Sequence, residues 1–134
     1  MALYKVGFVA GNFDLIHPGY IKLFRYTKKY CNHLIVAVHE DPTLEGKKKF
    51  KPVHTFKERK MILGSIRFVD QIVKYRTEDD LFKLLRKLPI SVRFLDEQYK
   101  KKNIIFFKLK IKIKWVPRKH SYSKTKLIKK IKLL

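Results

Sequence analysis

A chain of 134 residues has room for one domain and, at that size, hides well over half of its unfolded surface without a covalent staple. An apolar fraction of 46% and an aromatic fraction of 13% exclude an intrinsically disordered chain in spite of a net charge of +22. One cysteine, Cys31, excludes an internal disulfide and a cysteine-rich zinc site, and no apolar run reaches the roughly 20 residues that cross a bilayer. The expected setting is reducing and cytoplasmic, with no signal peptide in the short mixed stretch from Met1 to Val9.

Leu3–Val9 is a mostly apolar run ending in Ala10-Gly11 and reads as a buried first strand. Pro18 then opens an amphipathic stretch to Tyr30, with Ile21, Leu23, Phe24, Tyr26 and Tyr30 on its apolar face; Pro suits the first helical position, where its missing N–H would be unpaired anyway. His33–His39 is a second strand whose unbroken apolar centre fits a parallel sheet covered on both faces. Glu40–His54 reads as a polar loop. Thr55 and Glu58 form a capping box that starts a helix running to about Arg67, and Val69–Val73 is a third strand.

Thr77 caps the next helix, and Glu78, Asp79 and Asp80 in its first turn suit the helix dipole. Leu81, Phe82, Leu84, Leu85 and Leu88 form its buried stripe, Pro89 ends it, and Ile90–Leu95 is a fourth strand. Leu109–Trp115 alternates Lys with apolar residues, the pattern of an edge strand with one wet face, and Trp115 there belongs to the core. Ser123 caps a last helix through Leu133. The order of elements predicts an α/β, Rossmann-like, doubly wound open parallel sheet of about five strands with helices on both faces. Ligands of such sheets bind at the carboxyl ends of the strands, where strand order reverses.

The charge points to a polyanionic partner: nucleic acid, an anionic membrane surface or phosphorylated small molecules. Of 33 basic residues only seven are Arg. That bias, and the absence of paired zinc ligands or an aromatic-rich RNA-binding signature, argue against nucleic acid. A compositional preference for Lys is the competing explanation of the charge. The tail from Lys124 to Leu134 has the make-up of a basic amphipathic helix that can lie on anionic lipid; packing over the sheet is the expectation adopted. His33, His39, His54 and His120 show no metal-ligand spacing, so no metal site is assigned.

The first strand-to-helix turn carries the most chemistry. It reads Gly11-Asn12-Phe13-Asp14-Leu15-Ile16-His17-Pro18-Gly19-Tyr20 and lies at the N-terminus of the first helix, where free backbone N–H groups favour a phosphate. Gly11 and Gly19 let the backbone come close to a ligand. His17 and Tyr20, three apart at a helix start, share one face. The turn is neither a P-loop nor a dinucleotide fingerprint.

This turn resembles the Gly-x-Phe-Asp-x-x-His-x-Gly-His signature of the cytidylyltransferases, with Tyr20 at the last position. A second block, Glu58 to Asp70, is similar to the family's helix that opens with Glu-Arg and closes with Arg-Tyr-Val-Asp, and Arg118 to Thr125 lines up with Arg-Thr-x-Gly-Ile-Ser-Thr-Thr. The likeness spans nearly the whole chain and lies nearest the small bacterial glycerol-3-phosphate cytidylyltransferases. It implies attack of a substrate phosphate oxygen on the α-phosphorus of CTP, with ATP the alternative nucleotide, and departure of pyrophosphate. Such chemistry is largely positioning and charge stabilisation. Magnesium accompanying the triphosphate, a small phosphorylated acceptor and a homodimer are implied as well.

By the same resemblance, the groups acting on the reacting phosphates are His17, Tyr20, Lys48, Arg118 and Lys124. Nucleotide contacts fall to Gly11, Asn12, Phe13, Asp14, Gly19, Lys47, Arg59, Asp96, Ser123 and Thr125; which of Lys47, Lys48 and Lys49 holds phosphate stays open. Tyr20 can donate one hydrogen bond but carries no positive charge, and Lys124, in place of a hydroxyl, is expected to supply the missing cation. Two other readings stand beside the enzyme: a nucleotide-binding protein with a weakened site, and a basic nucleic-acid-binding module.

Overall fold

The computed structural model describes residues 2–44, 51–100 and 109–134. Five parallel strands, β1 (Tyr4–Gly11), β2 (Cys31–His39), β3 (Gln71–Tyr75), β4 (Val92–Asp96) and β5 (Lys112–Val116), form one sheet in the order β3-β2-β1-β4-β5. Four helices accompany them: α1 (Pro18–Lys28), α2 (Phe56–Gly64), α3 (Glu78–Lys87) and α4 (Lys124–Lys132). Strand order reverses between β1 and β4, so the switch point lies at the ends of those two strands.

Period-two alternation separates the two faces. Leu34, Val36 and Val38 of β2 join Val9, Phe24 of α1 and Leu63 of α2 in one core, while Ile35 and Ala37 join Val6, Phe8 and the α3 residues Leu81 and Leu85 in the other. Helices therefore cover both faces, the doubly wound arrangement that the alternation of elements predicts.

Element boundaries shift for local reasons. α1 ends at Lys28 rather than Tyr30, because the Tyr30 carbonyl accepts from the Tyr4 N–H and the chain has already turned into β2. α2 stops at Gly64, short of Arg67, in a tight turn where the Ser65 N–H donates to the Ile62 carbonyl. β3 begins two residues late because Asp70 has another task. Its carboxylate accepts from the Leu34 N–H at 2.8 Å and from Lys28, tying α1 and β2 to the start of β3. β4 begins at Val92, after Ser91 has paired its N–H with the Val6 carbonyl and its hydroxyl with the Val6 N–H. The capping box at Thr55 and Glu58 and the caps at Thr77 and Ser123 form as the sequence predicts.

Two expectations about the C-terminal third are corrected. The Lys face of β5 is not simply wet: Lys114 Nζ lies 4.2 Å from the centroid of the Tyr30 ring and Lys112 Nζ 5.7 Å from that of Tyr4, so the ammonium groups sit over aromatic faces. Trp115 is half-buried, and Val116 is the fully buried residue of the strand. α4 contains no fully buried residue, and Ile131 is exposed, so this helix does not cover the sheet as α1, α2 and α3 do. Among the described residues no helix is long and apolar enough to cross a membrane.

Candidate active site

The signature turn leaves the carboxyl end of β1 at the switch point and is held in a shape that L-residues seldom adopt. Phe13 and Leu15 have φ of 49° and 50°, left-handed conformations on both sides of Asp14. Each such residue costs on the order of 1–2 kcal/mol, so the surroundings must hold the turn firmly. Phe13 does so by burial, its ring packed edge-on to Tyr20 at 5.5 Å and tilted against Phe24 at 5.5 Å. A Cβ on Gly11 would stand 3.3 Å from the Phe13 ring, so a side chain here would press on that ring.

Asp14 is fully buried, and each of its oxygens accepts a backbone N–H: Val53 at 2.7 Å and His54 at 2.9 Å. Lys124, from the first position of α4, adds an ion pair at 2.8 Å. Burial alone would raise the Asp14 pKa, but the Lys124 ammonium and the two N–H groups outweigh it and hold the carboxyl below its usual value. Lys124 is thus the counter-ion of Asp14, and the free cation expected to offset Tyr20 is in fact an ion-pair partner. Asp14, in turn, joins the signature turn, the chain leading into α2, and α4.

The sign of the pH effect follows. The folded pKa of Asp14 lies below the unfolded carboxylate value near 3.8, so its contribution to stability is complete above that value and is lost as pH falls through the folded pKa. Asp14→Asn is expected to be less stable than the parent at pH 7 and to show a shallower loss of stability on acidification. Urea midpoints between pH 7 and pH 2 would check this; parallel curves would remove Asp14 from the acid limb.

Arg59, on α2, is also buried, at 1% exposure. Its guanidinium donates four hydrogen bonds, all to backbone carbonyls: Asn12 at 2.8 Å, His39 at 2.7 Å, Glu40 at 2.6 Å and His54 at 3.2 Å. It therefore fastens α2 to the end of β2 and to the start of the signature turn. Asn12 enters the site through its carbonyl, as one of these acceptors.

His17 is the N-cap of α1, and its Nδ1 accepts from the Gly19 N–H at 3.1 Å. An accepting Nδ1 places the proton of the neutral ring on Nε2, which becomes a donor. Burial, with the nearby His120 and Arg118, lowers the His17 pKa, so the ring is neutral at pH 7. Tyr20 stacks on it at 4.3 Å, and burial with the Asp14 charge raises the phenol pKa above its usual value despite Arg118. Position 20 therefore offers a neutral hydroxyl.

Arg118 joins the loop after β5 to the end of β4. Its guanidinium donates to the Tyr122 carbonyl at 2.8 Å and lies 3.8 Å from Asp96, and its backbone N–H donates to Glu97 at 3.2 Å. Asp96 also caps the short turn Glu97–Tyr99 by accepting from the Gln98 N–H. Ser123 accepts from the Lys126 N–H as the cap of α4, and Thr125 lies exposed in the first turn of that helix. Lys47, Lys48 and Lys49 lie outside the described residues.

The structure thus gathers His17, Tyr20, Asp14, Lys124 and the Arg118–Asp96 pair at the carboxyl edge of the sheet, while Arg59 serves the backbone beneath them. Sequence reasoning overlooked His120, which lies against Gly19. Its one signal was its place inside the third signature block. Among the described residues no group of three His, Cys, Asp or Glu could hold a metal ion, and both Asp14 oxygens are already engaged. The magnesium expected with a triphosphate is therefore assigned no protein ligand and no step.

A five-stranded parallel sheet with a helix starting at its switch point defines an α/β domain of the Rossmann-like, doubly wound class. Residues 8–131 match the family model described as cytidylyltransferase-like, and the chain belongs to that family. It is 31% identical over 121 residues to glycerol-3-phosphate cytidylyltransferase of Bacillus subtilis, covering 90% of this chain and 92% of that one. It is 41% identical over 69 residues to the probable ethanolamine-phosphate cytidylyltransferase of Encephalitozoon cuniculi, and 32% identical over 102 residues to the bifunctional protein HldE of Gluconacetobacter diazotrophicus. The chain spans 21% of the length of each of these last two relatives. The lipopolysaccharide core biosynthesis protein of Thermoplasma volcanium shares the fold, with a TM-score of 0.68 at 24% identity over 89% of this chain and 98% of the other.

Proposed function

We propose that this domain is a cytidylyltransferase that moves CMP from CTP to a small phosphorylated alcohol, with glycerol 3-phosphate as the first candidate. A phosphate oxygen of the acceptor bonds to the α-phosphorus of CTP, the bond from that phosphorus to the bridging oxygen breaks, and pyrophosphate leaves with the electron pair. The acceptor phosphate is already ionised at neutral pH, so no general base is required. His17 Nε2–H and Arg118 are assigned to the triphosphate, where donors fixed in advance stabilise charge without reorganisation. Magnesium travels with the triphosphate, and the working form is a cytoplasmic homodimer.

The observation that carries this reading is His17. It sits at the switch point, with its tautomer set by its own helix cap, in a chain that aligns with the Bacillus subtilis relative over nine-tenths of both. The test is pyrophosphate release with CTP or ATP against glycerol 3-phosphate, phosphocholine, phosphoethanolamine and sugar phosphates. Release that requires CTP and one acceptor is expected. Binding of CTP without release for any acceptor would instead favour a weakened site at Tyr20. Tyr20→His would then restore turnover.

A further inference from the structure

His120 comes from the loop between β5 and α4, far from the signature turn in sequence, yet it closes on the same backbone point as His17. A Cβ placed on Gly19 would lie 2.7 Å from His120 Cε1 and 2.8 Å from His17 Cε1. Both imidazoles therefore present their Cε1 edge to the first turn of α1, and only a glycine at position 19 leaves room for both. His17 Nδ1 would stand 2.9 Å from the same Cβ, so the two rings meet over one backbone point at the start of α1.

The two rings are fixed in the same way. His17 Nδ1 accepts from the Gly19 N–H, and His120 Nδ1 accepts from the Tyr122 N–H at 3.1 Å. In each case the backbone occupies Nδ1 and leaves the proton of the neutral ring on Nε2. Tyr122 also packs its ring 5.6 Å from that of His120. Burial lowers the pKa of His120, and Arg118 and Lys22 lower it further against the opposing Asp96 charge, so this ring too is a neutral donor at pH 7. Two N–H donors on backbone-fixed rings in a cationic surround, at the positive end of a helix, suit the oxygens of a polyphosphate.

We propose that His120 is a phosphate-contacting residue of this site, supplying with His17 the second imidazole donor that Tyr20 cannot provide. The inference rests on the nucleotidyltransferase reading above and extends it to a residue of the opposite end of the chain. Tyr20, stacked on His17, keeps that ring in place, while the donor role has moved to the loop after β5.

Calorimetric binding of CTP and CMP, together with pyrophosphate release, tests this in His120→Ala and in the double variant Tyr20→His/His120→Ala. His120→Ala is expected to weaken CTP binding by about tenfold or more with CMP affected less than twofold, and to lower turnover by roughly 10²-fold, the usual loss for one transition-state donor. An unchanged melting temperature establishes that the fold is intact. Adding Tyr20→His is expected to recover most of both losses. CTP affinity and turnover within twofold of the parent in His120→Ala would overturn the proposal, as would a double variant no better than the single one. If the parent chain turns over no acceptor, the loss of CTP relative to CMP affinity still decides it. A parent that binds neither CTP nor ATP would overturn the functional reading and this inference together.

Discussion

His17→Ala is expected to lower pyrophosphate release at saturating CTP by about 10²–10³-fold, while lowering stability by only ~1 kcal/mol. The two effects have separate origins in one ring. Nδ1 caps α1 by accepting the Gly19 N–H, and that is the stability share. Nε2–H faces no backbone partner among the described contacts and is the donor assigned to the triphosphate. His17→Asn separates them, because its side-chain oxygen can cap the helix while no imidazole N–H remains. Its melting temperature should return close to that of the parent while turnover stays low. Steady-state kinetics beside thermal melts check both halves. A variant that regains turnover together with the cap would reduce His17 to a structural residue.

Arg59→Ala carries the largest expected stability effect, a loss of roughly 3–5 kcal/mol. Four buried or half-buried carbonyls lose their donors at once, and they belong to three separate stretches of chain. For a domain of this size the loss corresponds to a melting temperature lower by roughly 10–20 °C. Arg59→Lys keeps the charge but replaces a planar fork with one ammonium, which cannot reach four acceptors, so it should recover only a small part. Urea and thermal unfolding of both variants would check this. A shift within ~2 °C for Arg59→Ala would show that water replaces the guanidinium without loss.

Arg59 also marks how far residues can be read without a fold. Its place in the block from Glu58 to Asp70 was legible and suggested a nucleotide contact; the structure sets it among the carbonyls of Asn12, His39, Glu40 and His54. Nothing at i±3 or i±4 announces partners that lie up to 47 residues away. Lys124 is similar. Its substitution for a hydroxyl was visible, but its pairing with Asp14 joins opposite ends of the chain. His120 lacked metal-ligand spacing and drew no role. It gains one only when β5 places its loop against Gly19.

The sequence by itself determined the order of strands and helices, the caps at Thr55, Thr77 and Ser123, the parallel sheet and the family. These depend on local physics: side-chain periodicity, N-cap chemistry, and a signature turn whose residues are contiguous. Only the tertiary structure decided which groups meet. It made Asp14 a buried anchor for Lys124, set Arg59 beneath the turn, drew Lys112 and Lys114 over Tyr4 and Tyr30, and brought His120 to His17. Contacts of that kind depend on how the layers stack, and a carboxylate or carbonyl acquires its partner only once packing has excluded water.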